Sequence, residues 1–168
     1  MNERGSDAGA GQDDLKTVAE IVTSAKIGVL TTITTSGALH SRPLAAQDVE
    51  FDGDLWFFTQ DPSSKVDDIA ANDQVNAAFE SKDGYLSIAG TAEIVHDRDL
   101  VDKYWNQMAA AWFPEGKDDP TVALIKVHAE SAEIWSVDEP RLVTAFKLAK
   151  ARVTGEQPDI GENRSIEL

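Results

Sequence analysis

Residues 27–71 read IGVLTTITTSGALHSRPLAAQDVEFDGDLWFFTQDPSSKVDDIAA, and this stretch decides the fold. Ile27 to Thr34 is rich in β-branched side chains, which suit a pleated strand. Ser36-Gly37 supplies the positive φ of a tight hairpin. Ala38 to Asp48 carries a second strand, and Phe51-Asp52-Gly53-Asp54 turns the chain into the apolar strand Leu55 to Thr59. Three strands in a meander result. Asp61-Pro62 then opens a helix reaching Ala71, because proline fits a first helical turn and Val66, Ile69 and Ala70 form one apolar stripe.

Working outward, Leu15, Val18, Ala19, Ile21, Val22 and Ala25 recur at helical spacing between Asp14 and Lys26, with Asp14 as the cap. Val75 to Glu80 reads as a fourth strand. Gly84 starts a fifth, in which Leu86, Ile88, Ala92 and Ile94 alternate and Gly90 marks a bulge or a close backbone approach. Asp97 to Ala111 reads as one helix, Trp112 to Pro120 as a turn-rich loop, and Val122 to Ala129 as the sixth strand. Ala132 to Val137 adds an extended segment, and Arg141 to Ala151 has helical spacing. Short, sequentially adjacent strands with few helices argue for a mainly β, α+β domain built on a small antiparallel barrel, not a doubly wound sheet.

The chain of 168 residues suits one domain, residues 14–152, between polar ends at 1–13 and 153–168 that read as flexible tails. It carries 30 acidic and 15 basic side chains, a net charge of −15. Residues 1–14 and residues 153–168 each contribute −3, which leaves −9 in between. That balance disfavours nucleic acid and anionic membrane as partners. No run of about 18 apolar residues is present, and the first residues lack the apolar centre of a signal peptide, so a cytoplasmic protein is expected. The absence of cysteine excludes a disulfide framework, a thiolate metal site and a cysteine nucleophile.

Among residues with chemistry, Thr59-Gln60-Asp61-Pro62-Ser63-Ser64-Lys65 puts three hydroxyls and an ammonium between a strand end and a helix start. Unpaired N–H groups there carry partial positive charge, so the segment outlines a phosphate site; the same residues also serve as an ordinary cap. Arg42, in the strand segment His40-Ser41-Arg42-Pro43, either meets the same anion or pairs with a surface carboxylate. His40, His96 and His128 have no spacing that would make a metal triad, and no metal site is expected. Asp67-Asp68 and Asp118-Asp119 read as solvated charge. Trp112-Phe113-Pro114 presents aromatic surface that stacks on a flat ligand or, the favoured reading, buries against a neighbouring subunit. Neither a Gly-x-Ser-x-Gly elbow nor a Walker-type loop occurs.

In order, IGVLTT, Gly37 with HSRPL, LWFFTQDPSSKVDDIAANDQVNAAF, YLSIAGTAEIV, AAWFPEGKDDPTVALIKV and EIW resemble the general stress protein 26-like branch of the pyridoxamine 5′-phosphate oxidase-related, FMN-binding split-barrel superfamily. The likeness runs from Leu15 to Trp135. It implies a six-stranded antiparallel split β-barrel that forms a homodimer, with FMN in clefts at the subunit interface. It places Ser41, Arg42 and Leu44 along the flavin and its phosphate, with His40 at the rim, Phe58 and Thr59 continuing the wall, and Ser64 and Lys65 on the phosphate. Trp112 would approach the ring from the partner subunit.

The implied activity is a flavin-dependent oxidoreductase on an unknown small substrate, reduced by a nicotinamide donor or by that substrate, with no acid–base residue required. The alternatives are a protein that stores or senses FMN without turnover, or a split barrel using FAD, deazaflavin or haem. Pyridoxamine phosphate oxidation itself does not fit, because SVDEPRL after Trp135 offers only Arg141 where those oxidases have an arginine-rich segment.

Overall fold

A computed structural model describes residues 11–136 and 162–168. The helix α1 (Gln12–Ala25) precedes the strands β1 (Ile27–Ile33), β2 (Leu39–Ala45) and β3 (Asp54–Gln60). The helix α2 (Ser64–Ala71) leads into β4 (Gln74–Ser81) and β5 (Gly84–Val95), and α3 (Arg98–Tyr104) and α4 (Gln107–Trp112) precede β6 (Val122–Ser136) and β7 (Glu162–Glu167). All strand pairs are antiparallel, in the order β2-β1-β4-β5-β6-β3, with β7 added to β6. The two ends of this path, β2 and β3, meet through one bridge, Ala46 with Phe57, so the barrel is split there.

Gly37 (φ 84°) and Gly53 (φ 106°) hold conformations that a Cβ disfavours. Gly37 closes the β1–β2 hairpin, but the expected three-strand meander does not form: after Gly53 the chain leaves β2, and β3 pairs with β6, because its apolar residues Leu55, Phe57 and Phe58 find their ladder partners there. Gly90 is both the bulge and the close approach that its position suggests. The β5–β6 register shifts between Ala89 and Gly90, leaving Glu130 as the extra residue on β6, and a Cβ at Gly90 would lie 2.0 Å from the His128 carbonyl oxygen. Inside the barrel Leu30, Phe57, Leu86, Ile88, Ile125, Val127 and Ile134 are buried, and α1 closes one end with Val18, Ile21 and Val22. A second cluster, with Phe58, Val101, Phe113 and Leu124, lies beneath α3 and α4.

Five further expectations change. The segments Val122–Ala129 and Ala132–Val137 belong to one strand, β6, whose polar Glu130-Ser131 marks the bulge and not an end. The helix expected from Asp97 to Ala111 is two, because the Asp97 carboxylate caps α3 and the Asn106 side chain accepts the Ala109 N–H to cap α4. α1 begins at Gln12, with Gly11 at its N-cap and Asp14 in the first turn accepting the Gly11 N–H. Pro62 precedes α2 instead of opening it: the Asp61 N–H still donates to the Thr121 carbonyl, holding the chain to the start of β6, and Ser63 is the cap position.

The last change concerns the expected tail at 153–168, whose end, Glu162–Glu167, is a seventh strand. Ile166 enters the core beside Ala132, and Arg164 pairs with Asp14 at 3.1 Å. The remaining stretch of that tail, the helical spacing at Arg141–Ala151 and the first ten residues lie outside the described residues. Among the described residues no helix is long and apolar enough to cross a membrane.

Candidate functional site

Alternation along β2 turns Arg42 to the inner face, opposite Leu30 of β1, and Ser41 and Pro43 to the outer face. Arg42 is largely withdrawn from solvent. Its Nη1 donates to Thr32 Oγ1 at 2.7 Å and its Nη2 to Asp68 Oδ2 at 3.5 Å, and Thr32 Oγ1 donates to Asp68 Oδ2 at 2.8 Å. The side chains of Arg42 and Asp68 are 15% and 9% exposed. Asp68, read as solvated charge, is therefore a buried partner. It lies on the face of α2 that packs on β1, where an unpaired carboxylate would be costly, and Arg42 offsets that cost.

Lys65, in the first turn of α2, brings a second cation to the same place. Its Nζ lies 3.5 Å from Ser63 Oγ, and burial, followed by the Arg42 charge, holds its ammonium below the ordinary lysine range. Arg42 has five N–H donors, of which two are committed to Thr32 and Asp68. Two cations beside each other with spare donors make a place that an anion would stabilise.

These residues form the polar end of a cavity of about 470 Å³ between β2, β3, α2 and α4. Leu44, Phe58 and Thr59 supply the strand walls, and Met108, Ala109 and Trp112 the helical one. Phe58 is fixed from behind by an edge-on Trp105 (ring centroids 5.6 Å apart, 84°) and by Phe113 at 6.1 Å, so the apolar wall is packed in place. One end of the cavity is cationic and the other flat and apolar. That suits a ligand with a single anionic group and a planar ring system.

Of the eight residues singled out in the sequence, Arg42, Leu44, Phe58, Thr59, Lys65 and Trp112 line this cavity. Ser41 and Ser64 do not. Ser41 faces outward, where its hydroxyl pairs with Thr31 Oγ1 at 2.8 Å, and Ser63 lines the cavity in the place expected of Ser64. The Thr59 hydroxyl is committed to the Gln60 carbonyl. Trp112, implied for the partner's cleft, ends α4 beside the cavity of its own chain and is 74% exposed. His40 is exposed on β2, while His96 bonds Asp61 at 2.7 Å and His128 bonds Asp54 at 3.0 Å.

Gln47, Met108 and Ala109 line the cavity without having been singled out in the sequence, whereas Ser63 was one of the three hydroxyls of the Thr59–Lys65 segment but was not assigned to the phosphate. Ser63 had the same signal as Ser64, and Gln47 had none. A smaller polar recess of about 290 Å³ lies between Asp73, Glu93, Lys126 and His128. Asp54 there meets both Lys126 (3.1 Å) and His128, so its cations are already partnered.

A model of the family described as pyridoxamine 5′-phosphate oxidase-like matches residues 13–159. The chain is 32% identical over 162 residues to Protein bli-3 of Neurospora crassa, covering 89% of this chain and 77% of that protein. It is 28% identical over 137 residues to General stress protein 26 of Bacillus subtilis, covering 76% of this chain and 92% of that protein. Among solved structures, the general stress FMN/FAD binding protein of Xanthomonas citri superposes with a TM-score of 0.66 at 30% identity, over 77% of this chain and 93% of that one.

Proposed function

Because this chain belongs to the pyridoxamine 5′-phosphate oxidase-like family, we propose that its cavity holds FMN and that the protein is an FMN-dependent oxidoreductase acting on a small substrate. The observation that carries this reading is the pair of neighbouring cations, Arg42 and Lys65, at one end of an otherwise apolar cavity. The description of the Xanthomonas citri relative as an FMN/FAD binding protein supports it. Two cations suit one phosphate monoester, and about 470 Å³ lies in the range of pockets for ligands of that size. FAD adds a second phosphate and an adenosine, for which the lining offers no further cation among the described residues.

When bound, the flavin supplies hydride transfer at its N5. The chain's residues bind and orient. Lys65, Ser63 and the free edge of Arg42 hold the phosphate, Leu44 and Phe58 give the ring a flat apolar wall, and Trp112 and Met108 border the outer side. Among the described residues the lining contains no carboxylate and no imidazole, so of those residues only Lys65 is placed to exchange a proton.

The same feature favours a second reading, storage or sensing of FMN without turnover. Anaerobic mixing of the FMN-loaded protein with NADH, then NADPH, separates the two. Bleaching of the flavin absorbance within minutes supports a nicotinamide-driven oxidoreductase, and an unchanged oxidised spectrum contradicts that donor.

The functional unit in this reading is a homodimer. The outer face of β1 and β2 exposes Ile27, Val29 and Leu39, at 45%, 43% and 75%, and Ile27 also borders the cavity. A second copy on this apolar face would cover it and narrow the cavity mouth.

A further inference from the structure

Among the described residues Gln47 is the only amide in the cavity lining that is almost wholly buried, 8% exposed, just past the bridge where the end of β2 meets β3. Its carbonyl is committed: Oε1 accepts from Asn106 Nδ2 at 2.7 Å. Asn106 is itself held, because its Oδ1 caps α4 by accepting the Ala109 N–H at 3.0 Å. That network fixes the amide, since the opposite flip would set two NH₂ groups against each other. Gln47 Nε2 therefore faces away from Asn106, with one N–H donated to the Ala45 carbonyl at 3.1 Å and the second without a partner among the described residues. A buried N–H left unmade costs about 1–3 kcal/mol, so a group that completes it gains directional affinity.

We propose that Gln47 is a specificity-determining donor, whose free amide N–H recognises a hydrogen-bond acceptor, a ring carbonyl or ring nitrogen, on the planar part of the ligand. It is distinct from the phosphate-binding pair Arg42 and Lys65. The inference rests on the flavin reading: a donor at a ring acceptor stabilises the negative charge that accumulates there on reduction, so Gln47 raises the tendency of the bound flavin to be reduced. Asn106 acts through Gln47 and is a positioning residue.

The test uses the full chain loaded with FMN and the variants Gln47→Glu and Gln47→Ala, with affinity, visible spectrum and midpoint potential as readouts. Glu is isosteric and still accepts from Asn106, but when ionised it presents no donor and also loses the bond to the Ala45 carbonyl. A thermal melt therefore accompanies it, and Gln47→Ala, which buries no charge, is the control for folding. Both variants are expected to bind FMN and riboflavin about tenfold more weakly, with the ratio between the two unchanged. Both should move the midpoint potential to more negative values, Glu further than Ala. Wild-type spectrum and potential in both variants would overturn the role of Gln47 while leaving the flavin reading intact. A wild-type chain that takes up neither FMN nor riboflavin would overturn both.

Discussion

Replacing Lys65 with Met removes a charge and keeps an apolar stem, and the structure gives opposite signs for its two consequences. In the ligand-free chain the ammonium is held below the ordinary lysine value of 10.5, first by burial and then by Arg42. On unfolding it returns to that value. Between the two values the unfolded chain binds the extra proton, so stability rises with pH across that window, and the penalty is fully present below it. Lys65→Met deletes the penalty. The ligand-free variant is expected to melt higher than wild type at neutral pH, with a flatter dependence of melting temperature on pH in the alkaline range.

Toward FMN the sign reverses, because a charge-assisted contact to phosphate is worth roughly 1.5–3 kcal/mol, or about a 10- to 150-fold loss of affinity. Flavin fluorescence titrations with FMN and with riboflavin isolate this contact: FMN should lose that factor and riboflavin almost none. Equal losses for both ligands would refute the assignment of Lys65 to the phosphate, and a ligand-free variant less stable than wild type at neutral pH would refute the burial penalty. Arg42 is the poorer probe, since its removal strands the buried Asp68.

That burial makes its own prediction: Asp68→Ala should cost about 3–5 kcal/mol in a denaturant melt, because Arg42 and Thr32 lose their shared acceptor. A cost under about 1 kcal/mol would mean the pair is solvated. Gly90→Ala places a Cβ against the His128 carbonyl and should cost about 1–3 kcal/mol or more, read as a melting temperature lower by roughly 5–10 °C. Val29→Asp, on the exposed face of β1, should turn a dimer into a folded monomer in sedimentation runs. Wild-type protein sedimenting as a monomer at micromolar concentration would remove the case for a shared cleft.

The strands were legible in the sequence, with Gly37 and Gly53 at the turns and β-branched or aromatic residues between, but the partner of β3 was not: it is β6, more than 60 residues later, and not the preceding β2. Where the reading missed, the cause was a tertiary partner. β7 is polar except for Ile166, so nothing local distinguishes it from a tail until β6 offers an edge to pair with. Asp68 looks like its neighbour Asp67, and only the approach of Arg42 from a strand 26 residues earlier makes it a buried partner.

At the site, Arg42 and Lys65 were visible as minority charges, and Phe58 as part of an apolar strand. The alternation of β2 separates Ser41 from Arg42, and the cap at Ser63 shifts the helix start by one residue. Those one-residue offsets depend on register, which composition does not encode. Gln47 lay inside a stretch read as strand and acquires its meaning from Asn106, 59 residues away.

The central claim is that Arg42 and Lys65 jointly hold the single phosphate of a flavin in this cavity. A crystal structure of the chain with FMN tests it most directly. The account predicts the phosphate within about 3 Å of Lys65 Nζ and of an Arg42 guanidinium nitrogen, with the ring against Phe58. A flavin seated elsewhere, or turned so that its phosphate faces solvent and its ring meets the two cations, would contradict it.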